Sequence, residues 1–197
     1  MKRIALSLVA LCAALPALAE DAPAAHIRGT VASIDGDKLT IAGRDGKNIT
    51  VTLAADVKIT GIVKSDLDQV KTGTFIGTAE TETGPDQGRS LEVVVFPEAA
   101  RGMGEGHYPW DLQPKSLMTN GTVGKVAEGS SGRELEVAFH GYTRHITVPP
   151  NTPIVTFADA GKADLKTGAA VFFTAPKEPG DAVTRVVVGK DGATPPM

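Results

Sequence analysis

The chain of 197 residues contains a single cysteine, Cys12. Cys12 lies within an N-terminal segment that we expect to be removed, so the mature chain would contain none. A chain without cysteine has no disulfide bond, no thiolate metal site and no cysteine nucleophile. Its stability therefore has to come from the packing of its core.

The sequence also lacks an excess of charge of either sign. Its 20 lysine and arginine residues stand against 23 aspartate and glutamate residues, which gives a formal net charge of −3. A weakly acidic chain has no overall electrostatic attraction for nucleic acid or for an anionic membrane surface. We therefore predict no nucleic acid among its partners, which would instead be an envelope protein or a small ligand of unknown identity.

Long apolar runs are confined to the N-terminus. Residues 1–3 carry two positive side chains, residues 4–15 are nearly all apolar, and residues 17–19 (Ala-Leu-Ala) place small side chains before a cleavage point. This pattern is typical of a secretory signal peptide. We predict a signal peptide at residues 1–19, a flexible mature N-terminus at 20–26, a periplasmic location and no transmembrane segment after cleavage. The alternative is an uncleaved membrane anchor, for which the apolar run is short.

Aromatic residues are scarce at 5% of the chain, whereas glycine (22) and proline (13) are frequent. This composition favours many short strands joined by turns over a helical bundle. The G-x-S-x-G, H-E-x-x-H and phosphate-loop motifs of common enzyme classes are absent from the sequence. We predict an all-β protein with short helices that is not an enzyme.

An internal duplication is the most informative feature of the sequence. Four blocks recur in the same order in both halves of the chain, and each match alone is weak. The blocks are Gly29-Thr30-Val31 with Gly121-Thr122-Val123, Ile49-Thr50-Val51 with Ile146-Thr147-Val148, Asp66 to Gly73 with Asp164 to Gly168, and Leu91 to Val95 with Thr184 to Val188. Four matches in register indicate two copies of one domain.

Each copy contains five strand patterns, with a short helix pattern between the third and the fourth. A five-stranded Greek-key barrel with a helix at that place would be an OB-fold. We predict two tandem OB-like small β-barrels, at residues 27–98 and 118–190, joined by a connecting segment at 99–117 and followed by a tail at 191–197. The alternative is an unrelated small β-sandwich built from the same strands.

The chain also resembles a known group of proteins. A signal peptide is followed by R-G-T-V-x-x-I-D-G-x-x-L-T-I from Arg28 and by L-x-x-V-K-T-G-x-F-I-G-T-A from Leu67. These features are similar to those of uncharacterised secreted bacterial proteins with a duplicated OB-like domain of unknown function. The resemblance extends over nearly all of the mature chain and implies a location and a fold, but no activity.

The connecting segment is the most distinctive stretch for chemistry. Three glycines alternate there with Met103, Glu105 and His107, and the single tryptophan, Trp110, follows. In an extended backbone this alternation puts the three side chains on one side, where they could bind copper or zinc. The alternative is a linker without a cofactor, whose aromatic residues pack over the junction between the barrels.

These features together predict a periplasmic, non-enzymatic binding or envelope-scaffold protein. The alternative function is that of a periplasmic accessory protein that binds copper or zinc through Met103, Glu105 and His107.

Overall fold

The computed structural model describes residues 25–176, 178 and 180–195, and these residues are almost entirely β-structure. They contain twelve strands, three short 3₁₀ turns and no α-helix. The predicted all-β class is therefore confirmed. The 3₁₀ turns span Leu67–Gln69, Glu98–Ala100 and Lys162–Asp164. The strands are β1 (His26–Asp35), β2 (Lys38–Gly43), β3 (Asn48–Lys64), β4 (Phe75–Gly84), β5 (Gln87–Val95), β6 (Gly106–Pro109), β7 (Ser116–Gly129), β8 (Gly132–Phe139), β9 (Tyr142–Val148), β10 (Ile154–Asp159), β11 (Ala170–Thr174) and β12 (Val183–Gly189).

The predicted signal peptide lies outside the described residues. The predicted flexible N-terminus lies outside them as far as residue 24, and its last residue, His26, begins β1. Within the described part of the chain, no helix is long and apolar enough to cross a membrane.

Alternating burial accounts for the individual strands. In β2, Leu39 and Ile41 are fully buried, whereas Lys38 and Ala42 are exposed. This two-residue period is what a strand with one face in a core requires. β1 and β2 form a hairpin in which Gly36 adopts a φ of +59°, a conformation that glycine reaches without steric cost.

The strands close into two five-stranded rings. In the first ring β1, β2, β3, β12 and β11 pair in that order, and β11 returns to β1. In the second ring β7, β8, β9, β5 and β4 pair in that order, and β4 returns to β7. β10 joins the rings, because it pairs with the end of β3 and with β5. β6 pairs with β7 outside the second ring.

The expected tandem arrangement of two OB-like barrels is not shown, because the strands of neither copy close on themselves. The β4–β5 hairpin belongs to the first copy but completes the second ring, and the β11–β12 hairpin belongs to the second copy but completes the first. The predicted boundaries at 27–98 and 118–190 therefore do not each enclose a ring. The physical reason is that the period of a strand determines which face is buried, not which partner strand it joins.

Each ring has its own apolar core, and a third cluster lies where the rings meet. Leu39, Ile41 and Val186 belong to the first core, and Leu135 and Ile146 belong to the second. The buried members of the third cluster are Ile62, Phe75, Val94, Phe96, Val155 and Ala193. The third cluster contains residues of β3, β10 and β5, so the strands that join the rings are also packed together. Ala193, from the predicted C-terminal tail, is buried in it.

Candidate functional site

A tight turn in the connecting segment lies near the place where the rings meet. Residues 101–104 form this turn, with Gly102 and Gly104 at positive φ. The side-chain Nδ2 of Asn120 donates a hydrogen bond to the carbonyl oxygen of Gly104 at 2.9 Å and another to the hydroxyl oxygen of Tyr108 at 3.1 Å. The metal-site prediction assumed an extended backbone. That assumption is wrong for residues 101–104, which form a turn.

A cleft of about 820 Å³ opens between this turn and the sheet. One side is formed by β3, β10 and β12, and the other by the turn, by the two residues that follow β5 and by the side chain of Tyr108. The lining is largely apolar and includes Phe96, Pro97, Ala100, Met103, Tyr108, Phe157, Val186 and Val187. A concave, largely apolar cavity of this size is typical of a small-molecule site.

Two phenylalanine rings form the apolar end of the cleft. The ring centroids of Phe157 and Phe96 are 5.1 Å apart, and those of Phe96 and Phe75 are 5.3 Å apart. Phe75 and Phe96 are buried in the third cluster, whereas Phe157 is only partly buried. The partly exposed ring is thus held against a packed core, which fixes its position before any ligand arrives.

Two cations lie at another part of the lining. Lys58 of β3 and Arg185 of β12 are direct partners in the parallel strand pair, and both are exposed. Neither forms an ion pair with any residue that the structure describes. The carboxylate in the described lining belongs to Asp159 of β10, which lies opposite Thr60 rather than opposite Lys58.

The structure gives Met103, Glu105 and His107 different surroundings. Met103 lines the cleft and is 55% exposed. The Oε1 of Glu105 accepts a hydrogen bond from the backbone N–H of His140 at 3.1 Å, and the Nδ1 of His107 lies 2.8 Å from the Oγ1 of Thr119. Among the described residues there is no group of three or more histidine, cysteine, aspartate or glutamate side chains placed to hold a metal ion. Metal binding by the three residues stays a prediction.

A buried carboxylate network lies next to His107. The Oε1 of Glu80 accepts hydrogen bonds from the Oγ1 of Thr119 at 2.7 Å and from the Nε of Arg144 at 2.6 Å. Its Oε2 has no hydrogen-bond partner in the described part of the chain and lies against Gly88, where a Cβ would collide with it. Burial raises the pKa of Glu80, although Thr119 and Arg144 oppose the change, and burial lowers the pKa of His107 with help from Arg144. Since Glu80 is fully enclosed, we assign this network a structural role.

Trp110 attaches the connecting segment to the first ring. Its indole centroid lies 4.4 Å from the ring centroid of His26 and 6.3 Å from that of Phe172. The carboxylate of Asp111 accepts a hydrogen bond from Arg28 at 2.7 Å and lies 2.9 Å from the Nδ1 of His26. Burial opposes the ionisation of Asp111, but these two contacts outweigh it and lower the pKa to about 2. These contacts pack the segment against the first ring, whereas the alternative interpretation places its aromatic residues over the junction between the barrels, which stays a prediction.

Glu92 is a second buried carboxyl group, on the side of β5 that faces the first ring. It is 5% exposed, and its Oε1 has no hydrogen-bond partner among the described residues. Burial raises its pKa to about 8, against the opposing effect of Arg28 and Arg44 of the first ring. Glu92 is therefore mainly protonated at neutral pH.

Comparison of the chain with protein-family models, with curated proteins and with solved structures finds no match. The resemblance to secreted proteins with a duplicated OB-like domain therefore stays a prediction.

Sequence reasoning missed Lys58 and Arg185 as site residues. Each is an ordinary exposed strand residue, and only the pairing of β3 with β12 brings the two together.

Proposed function

We propose that the protein is a periplasmic, non-enzymatic binding protein that holds a small molecule with an apolar body in the cleft between its two rings. The observation that carries this proposal is the cleft of about 820 Å³ with its aromatic and thioether lining. Removing apolar surface from water contributes about 25 cal/mol for each Å² buried, so a ligand that covers Phe157, Tyr108 and Met103 gains free energy from their contact.

Both sides of the cleft are held in place by hydrogen bonds within the protein itself, which favours binding without a large rearrangement. Asn120 holds the turn on one side through Gly104 and Tyr108. The strands on the other side are fixed by the pairing of β3 with β10 and β12. A preformed site avoids the cost of ordering the chain during binding.

Met103 gives the cleft some adaptability. Its side chain is 55% exposed at the cleft, and among the described large hydrophobic residues only Tyr142 is also exposed. A methionine side chain is flexible and polarizable, so it can adjust to ligands of different shape. We therefore expect the site to accept several apolar molecules of similar size.

A neutral apolar dye tests the proposal. Phenylnaphthylamine fluoresces strongly in apolar surroundings, and we expect saturable binding with a micromolar Kd. In the Thr60→Trp variant an indole fills part of the cleft, and binding should be lost. The control Thr143→Trp places the same side chain at an exposed position of β9, outside the cleft lining, and should bind the dye as the wild type does. Equal binding by the two variants contradicts the proposal, provided that both melt as folded proteins.

The periplasmic location rests on the sequence of residues 1–19. If this segment is a cleaved signal peptide, the protein recovered from the periplasm of an expression host should begin at Glu20. Mass spectrometry of the intact protein measures this directly. A mass that includes residues 1–19, or a protein found in the cytoplasm alone, contradicts the location.

A further inference from the structure

We infer that the ligand is an anionic amphiphile, a small molecule with an apolar body and a carboxylate, sulfonate or phosphate group at one end. This inference rests on the proposed function and adds the chemistry and the orientation of the ligand. It is carried by the arrangement of Lys58, Arg185 and the phenylalanine rings around the cleft.

Lys58 and Arg185 place two positive charges side by side. They are direct partners across β3 and β12, and neighbouring strands are about 4.8 Å apart. Like charges directly opposite each other in a sheet destabilise it. Neither cation has a carboxylate partner within 4.0 Å in the described residues, so an anion bound between them would relieve this repulsion.

The cations and the aromatic rings lie beside different positions along strand β3. Along β3, Lys58 pairs with Arg185, Thr60 pairs with both Val187 and Asp159, and Ile62 pairs with Phe157. Lys58 and Ile62, the partner of Phe157, are four residues apart along β3, which is a distance of about 13 Å at about 3.3 Å per residue. A ligand of that length would place its anionic group at the cations and its apolar body against Phe157 and Phe96.

Asp159 contributes to the orientation. Its carboxylate belongs to the level of Thr60, between the cations and the rings. It repels the ligand's anionic group at that position, so this group is favoured at the end of the cleft that holds Lys58 and Arg185. Among the described residues that line the cleft, two carry a positive charge (Lys58 and Arg185) and one carries a negative charge (Asp159).

Two dyes that differ by one anionic group test the inference. Anilinonaphthalene sulfonate and phenylnaphthylamine share the same ring system, and only the former carries a sulfonate. At low salt we expect the sulfonate to bind more tightly, and Lys58→Met and Arg185→Met each to weaken it about threefold, as for an exposed ion pair. The neutral dye has no group that pairs with either cation, so neither variant should bind it more weakly, and the sulfonate's advantage over the neutral dye should fall in both variants. Lys64→Met is the matched control, because Lys64 is also exposed on β3 but is not part of the cleft lining.

The outcomes separate this inference from the proposed function. If the neutral dye binds and is blocked by Thr60→Trp, but the sulfonate binds no more tightly, the inference is overturned and the proposed function stands. The inference is also overturned if Lys64→Met weakens the sulfonate as much as Lys58→Met does, because the effect is then one of general surface charge. If neither dye binds, both are overturned.

Discussion

The buried carboxyl group of Glu92 should make the protein less stable as the pH rises. Its side chain is 5% exposed and one of its oxygens has no hydrogen-bond partner among the described residues, so the folded state favours the neutral form. Burial raises the pKa from its ordinary value of 4.5 to about 8 in the folded protein. In the unfolded chain the group should titrate near its ordinary value.

The direction of the effect follows from the two pKa values. Below pH 4.5 Glu92 is protonated in both states and its contribution to stability is fully present. Between pH 4.5 and about 8 the unfolded state is ionised and the folded state is not, so the free energy of unfolding falls. Each pH unit in this window removes about 1.4 kcal/mol, and the whole window removes about 5 kcal/mol. That loss is a large part of the total stability of an ordinary domain.

Urea unfolding of the wild type and of Glu92→Gln between about pH 5 and about pH 8 measures this contribution. Glutamine has the shape of the protonated acid and does not ionise, so the variant should differ from the wild type by less than about 1 kcal/mol at the acidic end. At the alkaline end the variant should be more stable by about 4 kcal/mol. The raised pKa of Glu80 acts on both proteins and cancels in the difference.

The control for this prediction is Glu128→Gln, since the side chain of Glu128 is 79% exposed. This variant should follow the wild type over the whole pH range. If the curves of Glu92→Gln and the wild type also run parallel, Glu92 is ionised in the folded protein and the account of its burial is refuted.

Three further predictions follow from other features. The fluorescence of Trp110 should be blue-shifted without ligand, because the indole packs against His26 and Phe172. Trp110→Ala should lower the free energy of unfolding by about 2 kcal/mol and Tm by about 4–8 °C. A spectrum typical of an exposed indole, together with an unchanged Tm, contradicts this prediction. If the sequence-based metal prediction for Met103, Glu105 and His107 holds, calorimetry should detect micromolar or tighter binding of copper or zinc that is lost in His107→Ala; the absence of such binding refutes it. A protease site inserted after Gly102 allows the chain to be cut into two fragments. The cut protein should elute from a size-exclusion column and melt as one species, because each ring contains strands from both fragments. Fragments that separate without denaturant would show that the rings do not share strands.

Part of this structure could be predicted from the sequence, because local patterns determine local structure. The alternation around Leu39 and Ile41 and the turn at Gly36 predict the β1–β2 hairpin that is found. The block shared by the two copies also lies at a short 3₁₀ turn in each copy, since one turn directly follows Asp66 and the other ends at Asp164. These features depend on residues that are close together in the chain.

The ring closure could not be predicted, because it depends on a choice between equivalent partners. β5 and β12 carry nearly the same pattern, Leu91 to Val95 and Thr184 to Val188, so either could complete either ring. The cleft depends on that choice, since Arg185 reaches Lys58 only when β12 pairs with β3. The burial of Glu80 and Glu92 could not be predicted for a related reason. Charged residues in a strand usually face solvent, and only the packing of other strands buries these two.

An NMR titration of the labelled protein with phenylnaphthylamine tests the central claim, that the cleft between the rings is the binding site, most directly. We expect the largest amide shifts at Thr60, Met103, Tyr108, Phe157 and Val187, which line the cleft from both sides. Shifts confined to another surface, such as the β8–β9 hairpin around Tyr142, or no saturable shifts at all, would contradict the claim.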